Sequence, residues 1–354
     1  MWALYLHRTK LRGLLMHRPL LLGTLLALSG CASMDLPSLS QLTPFATSAP
    51  KVETADIGVT ECDRLTASSL NPYANSPDVP IDDLDAEPAI AACEADLKAH
   101  PGHPRLQVQL ARALVKDNQF DRAFTLRQQS AQAGYPYGIY ALAYSQYKGE
   151  GSTIDYSAAL ANFQKAANSG APVAWNLIGH FYNQGLGVER DIDKAISALR
   201  KAAEDEFKTK RGTNSMTYVA SLLRERDGWG DKREARRWYG RAAEQGSGLG
   251  MNGMGLLALD EDRHNEALQW FLRAADAGFI TGHYNVGQAY RYGWGVQRDL
   301  GQAAQWYRQA AEKGHIEASL QLGRMYATGS GVAQNPTEAM RWFTMHAPTV
   351  TISE

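Results

Sequence analysis

A three-residue motif, a polar residue followed by two alanines, returns along this chain about every 36 residues. Its copies are Lys165-Ala166-Ala167, Lys201-Ala202-Ala203, Arg241-Ala242-Ala243, Arg273-Ala274-Ala275 and Gln309-Ala310-Ala311. The copies are 36, 40, 32 and 36 residues apart, so one insertion of four residues and one deletion of four account for both departures. A unit this short cannot bury its own apolar face, and its copies must stack against one another. The period therefore predicts a solenoid.

The apolar residues of each unit recur with the period of an amphipathic helix. An alanine is followed four residues later by a large apolar side chain, which places both on one helical face. The pairs are Ala159 and Phe163, Ala195 and Leu199, Ala235 and Tyr239, Ala267 and Phe271, Ala303 and Tyr307, and Ala339 and Phe343. Small residues let neighbouring helices approach, and large residues fill the space between them. This pattern predicts an all-α fold, a solenoid of antiparallel helix pairs.

Glycines are predicted to separate the helices. A pair of glycines suits the positive-φ turn between the first and second helix of a unit. Such pairs occur in Gly149-Glu150-Gly151, Gly185-Leu186-Gly187, Gly228-Trp229-Gly230, Gly293-Trp294-Gly295 and Gly329-Ser330-Gly331. Single glycines are predicted to end second helices at Gly170, Gly246, Gly278 and Gly314.

Two units depart from this pattern. The unit around residues 247–278 has no glycine loop and is expected to turn at Asp260-Glu261-Asp262-Arg263. A charged segment, Glu204 to Arg211, stands where a terminating glycine is expected ahead of the third unit. It predicts a lengthened helix or loop at that point.

Together these motifs resemble the Sel-one-like repeat family, a longer relative of the tetratricopeptide repeat. The stretches from Asn285 to Val296 and from Ala318 to Tyr326 match its pattern, and the resemblance covers about residues 135–347 in six copies. Residues 104–134 are predicted to form one further helical hairpin of tetratricopeptide length. The resemblance implies that the helix pairs form a right-handed α/α superhelical solenoid. It also implies a protein that holds partners rather than one that transforms them.

The N-terminal segment has the features of an export signal. Its first thirty residues contain four basic residues and no acidic one, followed by the apolar run Leu20 to Leu28. The sequence Leu28-Ser29-Gly30-Cys31 resembles the bacterial lipobox, which implies cleavage before Cys31 and lipidation of that cysteine. The alternative is a buried cysteine after an ordinary signal peptide. Ala32 is not an aspartate, so for a Gram-negative source the usual sorting rule implies an anchor in the periplasmic face of the outer membrane.

Cysteine usage agrees with export. Of the three cysteines, Cys31 is assigned to lipid, which leaves Cys62 and Cys93 as one pair. An even remainder in an exported chain predicts a disulfide; two buried free thiols are the alternative. Asp85 is the predicted N-cap of a helix that reaches His100, and the preceding part of this segment, through Pro72 and Pro80, is predicted to be irregular.

The sequence contains no motif that predicts catalysis. Without residues 1–30 the chain has 32 basic and 37 acidic residues, and the absence of a basic stripe speaks against a nucleic-acid partner. Gly248 to Gly253 matches the letters of a dinucleotide fingerprint, but no strand precedes it. His100 and His103 are close in sequence without the spacing of a zinc site. We therefore expect no enzyme, no catalytic residue, no metal site and no cofactor.

Aromatic residues in the loops and first helices are the candidate partner-binding residues, with packing between repeats as the alternative. They are Tyr144, Trp175, Trp229, Tyr292 and Trp294. The predicted organisation is a lipoprotein signal peptide over 1–30, a flexible tether over 31–60, a Cys-bracketed N-terminal cap over 61–103, the hairpin over 104–134, six repeats over 135–347 and a tail over 348–354.

The expected function is that of a periplasmic scaffold for a cell-envelope assembly, for example in polysaccharide secretion or envelope maintenance. Its partners would be other envelope proteins, and its N-terminal lipid would hold it to the membrane. One alternative is a cell-wall ligand or β-lactam binder or hydrolase of the cysteine-rich repeat type, although residues 94–354 contain no cysteine. Another is a regulatory partner of a periplasmic sensor domain.

Overall fold

The helices begin and end close to the positions that the glycine and alanine patterns predict. The computed structural model describes residues 57–66, 79–209 and 212–345, and every element of secondary structure in them is helical. Several predictions lie outside the described residues: the signal peptide over 1–30, Cys31, the tether up to residue 56, and the tail over 348–354. None of the described helices has both the length and the apolar character that crossing a bilayer requires.

Sixteen helices follow one another in the described ranges. They are α1 (Glu61–Thr66), α2 (Ala86–Ala99), α3 (Pro104–Lys116), α4 (Phe120–Gln132), α5 (Pro136–Lys148), α6 (Tyr156–Asn168), α7 (Ala174–Gln184), α8 (Ile192–Thr209), α9 (Asn214–Arg226), α10 (Asp231–Glu244), α11 (Gly248–Asp260), α12 (His264–Asp276), α13 (Ile280–Tyr292), α14 (Leu300–Glu312), α15 (Ile316–Thr328) and α16 (Pro336–Thr344). The helices α3 and α4 form the hairpin, and α5 to α16 form six helix pairs, called units one to six below.

Each helix packs against its neighbours in the chain, as the solenoid prediction requires. First helices also touch the first helices of adjacent units, as α3 does with α5 and α11 does with α9 and α13. No contact of comparable extent joins two second helices in the described ranges. First helices therefore lie closer together, on the inner side of the stack, and second helices lie on its outer side. The all-helical solenoid of helix pairs is confirmed, while the hand of the superhelix stays a prediction.

A small residue on the first helix of a unit faces the large residue on its second helix. A Cβ atom built on Gly255 would lie 2.4 Å from Cε1 of Phe271, and one on Gly287 would lie 2.7 Å from Cδ1 of Tyr307. The alanines of the repeated pairs are buried, Ala159 and Ala303 fully so. The large side chains thus occupy space that missing Cβ atoms leave open, which is how close-packed interiors avoid voids.

The second glycine of each seven-residue loop allows contact between units. In unit two, Gly185 ends α7 with φ 70°, and Gly187 follows with φ 65°. A Cβ atom on Gly187 would lie 2.6 Å from the backbone nitrogen of Ser157 and 2.7 Å from the carbonyl carbon of Tyr156. Both atoms belong to the first turn of α6 in unit one. The loop therefore contacts the preceding unit directly, in addition to connecting the two helices of its own unit.

Unit three does not have this loop, so its predicted equivalence to the other glycine loops is wrong. After α9 the left-handed positions are Asp227, with φ 50°, and Gly230, with φ 84°, and α10 begins at once. The buried carboxylate of Asp231 accepts a hydrogen bond from the backbone N–H of Gly228 at 2.8 Å and pairs with Arg226 at 2.6 Å. These polar contacts close a loop of four residues instead of seven.

The two other departures agree with the sequence. The charged segment extends α8 to 18 residues, where most of the repeat helices have 13. In its last turns, the carboxylate of Glu206 accepts hydrogen bonds from the N–H groups of Ser215 and Met216 at 2.8 and 3.3 Å, and so caps α9. Between α11 and α12 the chain turns over residues 261–263, with Asp262 at φ 55°.

The cap is joined by the predicted disulfide between Cys62 and Cys93, both fully buried beside α3. The helix α1 is a correction, because this part was predicted to be irregular. Thr60 and Asp63 form a reciprocal capping box: the hydroxyl of Thr60 accepts from the N–H of Asp63 at 3.2 Å, and the carboxylate of Asp63 accepts from the N–H of Thr60 at 2.8 Å. Asp85 precedes α2 as predicted, but its side chain makes no capping hydrogen bond.

Candidate interaction surface

Polar side chains join successive first helices along the inner side of the stack. They bridge α7 to α9, α9 to α11, α11 to α13 and α13 to α15, and we call them the first-helix ladder. Its pairs are Asn176–Ser215 at 2.7 Å, Asn183–Tyr218 at 2.8 Å, Arg224–Asp260 at 3.0 Å, Asn285–Asn252 at 2.7 Å and Arg291–Gln321 at 2.5 Å. The ladder presents amide, hydroxyl and guanidinium groups across five units.

One acceptor within the first-helix ladder has no donor. The side-chain N–H of Asn183 is used by Tyr218, but its buried Oδ1 accepts no hydrogen bond from the described residues. A buried acceptor without a donor costs free energy, and a ligand would reach this one only if α7 and α9 moved apart. Extended peptide segments offer backbone N–H and C=O groups at regular intervals, so the ladder has the chemistry to bind such a segment.

Tyr144 lies in an aromatic group on α5. Its ring is 6.5 Å from that of Tyr140 and 6.1 Å from that of Tyr147, and the ammonium of Lys148 lies 4.8 Å from the centre of the Tyr147 ring. Burial raises the pKa of Tyr140 far above its usual value. Burial, followed by the charge of Lys148, lowers the pKa of His180, which packs on Tyr147. Tyr144 itself is half-buried, so part of its ring is available to a partner.

Trp175 packs within the solenoid more than it faces solvent. The ammonium of Lys201 on α8 lies 3.8 Å from the centre of its ring, which is a cation–π contact between the two helices of unit two. The indole is half-buried against the core of units one and two. These contacts favour the packing interpretation for this residue.

Tyr292 and Trp294 form a stacked pair at the end of α13. Their ring centres are 5.1 Å apart at an interplanar angle of 28°, and the guanidinium of Arg291 lies 5.3 Å from the Tyr292 ring. Tyr292 is 53% exposed, whereas Trp294 packs partly against the core beside Val296. Because Arg291 also belongs to the first-helix ladder, this pair adjoins the ladder.

Trp229 lies apart from the other aromatic candidates. Its side chain is 96% exposed, in the short loop ahead of α10. The structure therefore brings Tyr292 and Trp294 together and places Tyr144 in a separate group. It buries most of Trp175 and separates Trp229 from the other aromatic candidates.

Sequence reasoning missed the polar network between the two helices of unit five. The hydroxyl of Tyr307 donates to Oε1 of Gln288 at 2.7 Å, and the side-chain amide of Gln288 donates to the hydroxyl of Tyr284 at 2.5 Å. Burial raises the pKa of Tyr284 to about 12, so its phenol stays protonated. Polar residues within otherwise buried first helices are the only sequence signal for these contacts, and spacing alone does not show which of them meet.

His100 and His103 lie in the connection between α2 and α3, and the dinucleotide-like string lies in α11. In the parts of the chain that the structure describes, no group of three histidine, cysteine, aspartate or glutamate side chains is placed to hold a metal ion. Gly253, from the dinucleotide-like string, lies inside α11, where a Cβ atom would come within 2.3 Å of the Tyr239 ring. This glycine allows close helix packing.

His315 couples the packing of units five and six to pH. Its ring stacks on Tyr284 at 4.6 Å, and its Nδ1 accepts a hydrogen bond from the N–H of Ala318 at 3.2 Å, which caps α15. Only the neutral imidazole has an acceptor, and burial lowers the pKa of His315 below its ordinary value of 6.5. The unfolded chain therefore takes up a proton at a higher pH than the folded chain does.

We expect the free energy of unfolding to fall as the pH decreases from about 6.5 through the lowered pKa of His315, by at most about 1.4 kcal/mol per pH unit. Urea unfolding of the full chain between pH 7.5 and 5, compared with His315→Asn, measures this effect. Asparagine is a neutral capping residue, so the variant should lose that part of the pH dependence. Identical pH profiles for the two proteins would contradict this prediction.

The comparisons with known proteins identify the repeats. The Sel1 repeat model matches residues 136–170, 174–206, 227–247, 248–279, 280–315 and 316–345, which together make up more than half of the chain. The third match omits α9, in agreement with the altered loop and lengthened α8 around that helix.

Two solved structures, each 30% identical to this chain, share the fold. One is a protective antigen present in uropathogenic Escherichia coli strains displaying an SLR fold, with a TM-score of 0.60 over 72% of this chain and 56% of its own. The other is a Sel1 repeat protein from Oxalobacter formigenes, with a TM-score of 0.56 over 67% of this chain and 98% of its own.

A curated relative, an uncharacterized protein from Neisseria meningitidis serogroup B, is 29% identical over 246 residues, which are 68% of this chain. This chain spans about half the length of that relative. The six matching repeats and the two solved structures of the same fold show that this chain belongs to the Sel1 repeat family, whose stacked helix pairs serve as protein-interaction scaffolds.

Proposed function

We propose that this protein is a cell-envelope scaffold, held by lipid at Cys31 to the periplasmic face of the outer membrane, that presents its inner surface to another envelope protein. The lipobox-like sequence ending at Cys31 supports the anchor. The disulfide between Cys62 and Cys93 supports an oxidising compartment such as the periplasm.

The observation that best supports partner binding is the first-helix ladder with aromatic groups near it. Tyrosine and tryptophan are enriched where binding energy concentrates, and regularly spaced polar groups can pair with an extended backbone. The exposed ring of Tyr292 adjoins the ladder through Arg291. A partner that covers the ladder would also cover this ring.

The anchor is tested by Cys31→Ser in the full chain, expressed in a Gram-negative host with a palmitate analogue. We expect the parent protein to be labelled and to fractionate with the outer membrane, and the variant to be unlabelled. The control is the double variant Cys62→Ser/Cys93→Ser, which retains Cys31 and should keep the label. Equal labelling of the Cys31 variant and the parent would refute lipidation at this site.

The binding surface is tested with a photo-crosslinking amino acid at single positions of the anchored protein. Tyr144 and Tyr292 test the inner surface, while Gln269 and Gln305, both exposed on second helices, are the controls. We expect one envelope protein to crosslink from the inner positions and not from the outer ones. The same adduct from all four positions, or from the outer ones alone, would show that the first helices do not form the binding surface.

A further inference from the structure

A tryptophan and two arginines form a stripe on the outer side of unit three. Arg233 and Arg237 are four residues apart on α10, the spacing that places helical neighbours on one face, and Trp229 lies in the loop just before that helix. The side chain of Trp229 is 96% exposed, and the guanidinium of Arg233 lies 5.7 Å from the centre of its ring. Both arginines are exposed. We call these three residues the outer stripe.

The arginines of the outer stripe are poorly neutralised. Arg233 forms no ion pair with any residue that the structure describes, and the carboxylate paired with Arg237, that of Glu234, is 4.0 Å away. That carboxylate is already bound by Arg200 through two hydrogen bonds of 2.7 Å. By contrast, Arg236, on another side of α10, pairs with glutamates of unit four. The stripe therefore keeps a positive charge that its neighbours do not cancel.

The repeat fold does not require this charge. When the second helices are aligned on their recurring alanine, the positions of Arg233 and Arg237 hold mostly neutral residues in the other units. They are Ser157 and Ala161 in α6, Asp193 and Ser197 in α8, Asn265 and Gln269 in α12, Gly301 and Gln305 in α14, and Thr337 and Arg341 in α16. Arg341 pairs with Glu338 of its own helix. Among the six second helices, only α10 therefore has arginine at both of these positions.

The altered loop of unit three is what exposes the tryptophan. In unit five, Trp294 is the second residue of a seven-residue loop and packs against Tyr292 and the core. In unit three the loop has four residues, closed by the contacts of Asp231 with Gly228 and Arg226. In this shorter loop Trp229 is 96% exposed, whereas Trp294 packs against the core.

We infer that the outer stripe is a docking surface, separate from the first-helix ladder, that binds an extended acidic segment of a partner protein. Arginine pairs with carboxylates through two parallel hydrogen bonds, and the exposed indole provides an apolar anchor beside them. Side chains four apart on a helix are about 5–6 Å apart, close to the spacing of alternate residues in an extended chain at about 3.3 Å per residue. The segment that fits has acidic residues at alternate positions next to one large apolar residue.

A protein segment fits this surface better than an anionic bilayer does. Insertion into a bilayer needs several apolar side chains on one face. Between Tyr156 and Leu249, Trp229 is the only large apolar side chain exposed by 36% or more among the described residues. Two charges and one indole are enough to select a peptide but provide little area for insertion.

The test uses the full chain and a synthetic peptide in which glutamate alternates with serine on both sides of one leucine. We expect binding that weakens as salt is added, since the contacts are ionic. The double variant Arg233→Ala/Arg237→Ala should lose at least about tenfold in affinity, and Trp229→Ala several-fold, because arginine and tryptophan dominate such contacts. The control is Arg298→Ala/Arg324→Ala, which removes two exposed arginines elsewhere and should bind like the parent.

Three outcomes would overturn the inference. They are no binding of the glutamate peptide, equal binding of a peptide with glutamine in place of glutamate, and equal loss in the control variant. Phosphatidylglycerol vesicles provide a further test: binding to them that depends on Trp229, without peptide binding, would make the stripe a membrane contact instead. All of these results are independent of the crosslinks from Tyr144 and Tyr292, so the inner and outer surfaces can fail separately.

Discussion

Replacing Arg105 by alanine is expected to lower the free energy of unfolding of the N-terminal cap by about 3 kcal/mol. The guanidinium of Arg105 lies 3.1 Å from the carboxylate of Asp63, with side chains 9% and 0% exposed. It also donates to the carbonyl oxygen of Gly58 at 2.7 Å. The variant leaves the charge of Asp63 buried with only the hydrogen bonds from Thr60, which compensate part of it.

A matched control lies in α1, the helix that contains Asp63. Arg64 pairs with Glu61, but these side chains are 59% and 55% exposed, so Arg64→Ala should cost no more than about 1 kcal/mol. Because repeat stacks can unfold in parts, the effect is best measured locally, by hydrogen exchange of the amides in α1 to α3 of the full chain. A cap equally stable in both variants would show that the buried pair contributes nothing beyond an exposed one.

Replacing Gly187 by alanine is expected to destabilise the stack by about 3 kcal/mol or more. The new Cβ would meet backbone atoms of Tyr156 and Ser157 at 2.7 and 2.6 Å, and backbone cannot move aside as the end of a side chain can. The positive φ of this residue adds about 1–2 kcal/mol of strain, and overpacking adds about 1–3. Since the loop rests on the preceding unit, the clash should separate units one and two.

Gly246→Ala is the control for this substitution. Gly246 also has a positive φ, 84°, but a Cβ atom there would meet nothing within 4 Å. Its cost should therefore be the strain alone, about 1–2 kcal/mol. Urea unfolding of the two variants separates strain from contact between units. Equal midpoints would show that the loop of unit two can withdraw from α6 without cost.

The two surfaces differ in how they arise from the repeat. The first-helix ladder runs through units two to six, where side chains of successive first helices reach one another. The outer stripe exists in a single unit, where the loop is shortened and α10 has arginines at two positions that are mostly neutral elsewhere. A scaffold of this form would hold one partner along its inner side and a second at one point of its outer side.

Some elements could be predicted from the sequence and others could not. The second helices end at the C′ glycines Gly170, Gly246, Gly278 and Gly314, because a left-handed residue is needed there and only glycine adopts it without cost. The helix α1 was missed although Thr60 and Asp63 have the spacing of a capping box, because a six-residue helix has too little apolar periodicity to be noticed. The loop of unit three was misjudged because Gly228-Trp229-Gly230 has the same residue pattern as the other glycine loops. Its left-handed positions, however, are Asp227 and Gly230 and not the two glycines.

The sequence alone determined the period, the two helices in each unit and the disulfide pairing, because each depends on local spacing or on the count of cysteines. Only the tertiary structure decided which polar residues of successive first helices meet. It also decided that Gly187 lies directly against the first turn of α6, and that Trp229 is exposed while Trp294 is packed. These features depend on distances between units. Such distances follow from how the helices stack, and no spacing within one unit determines them.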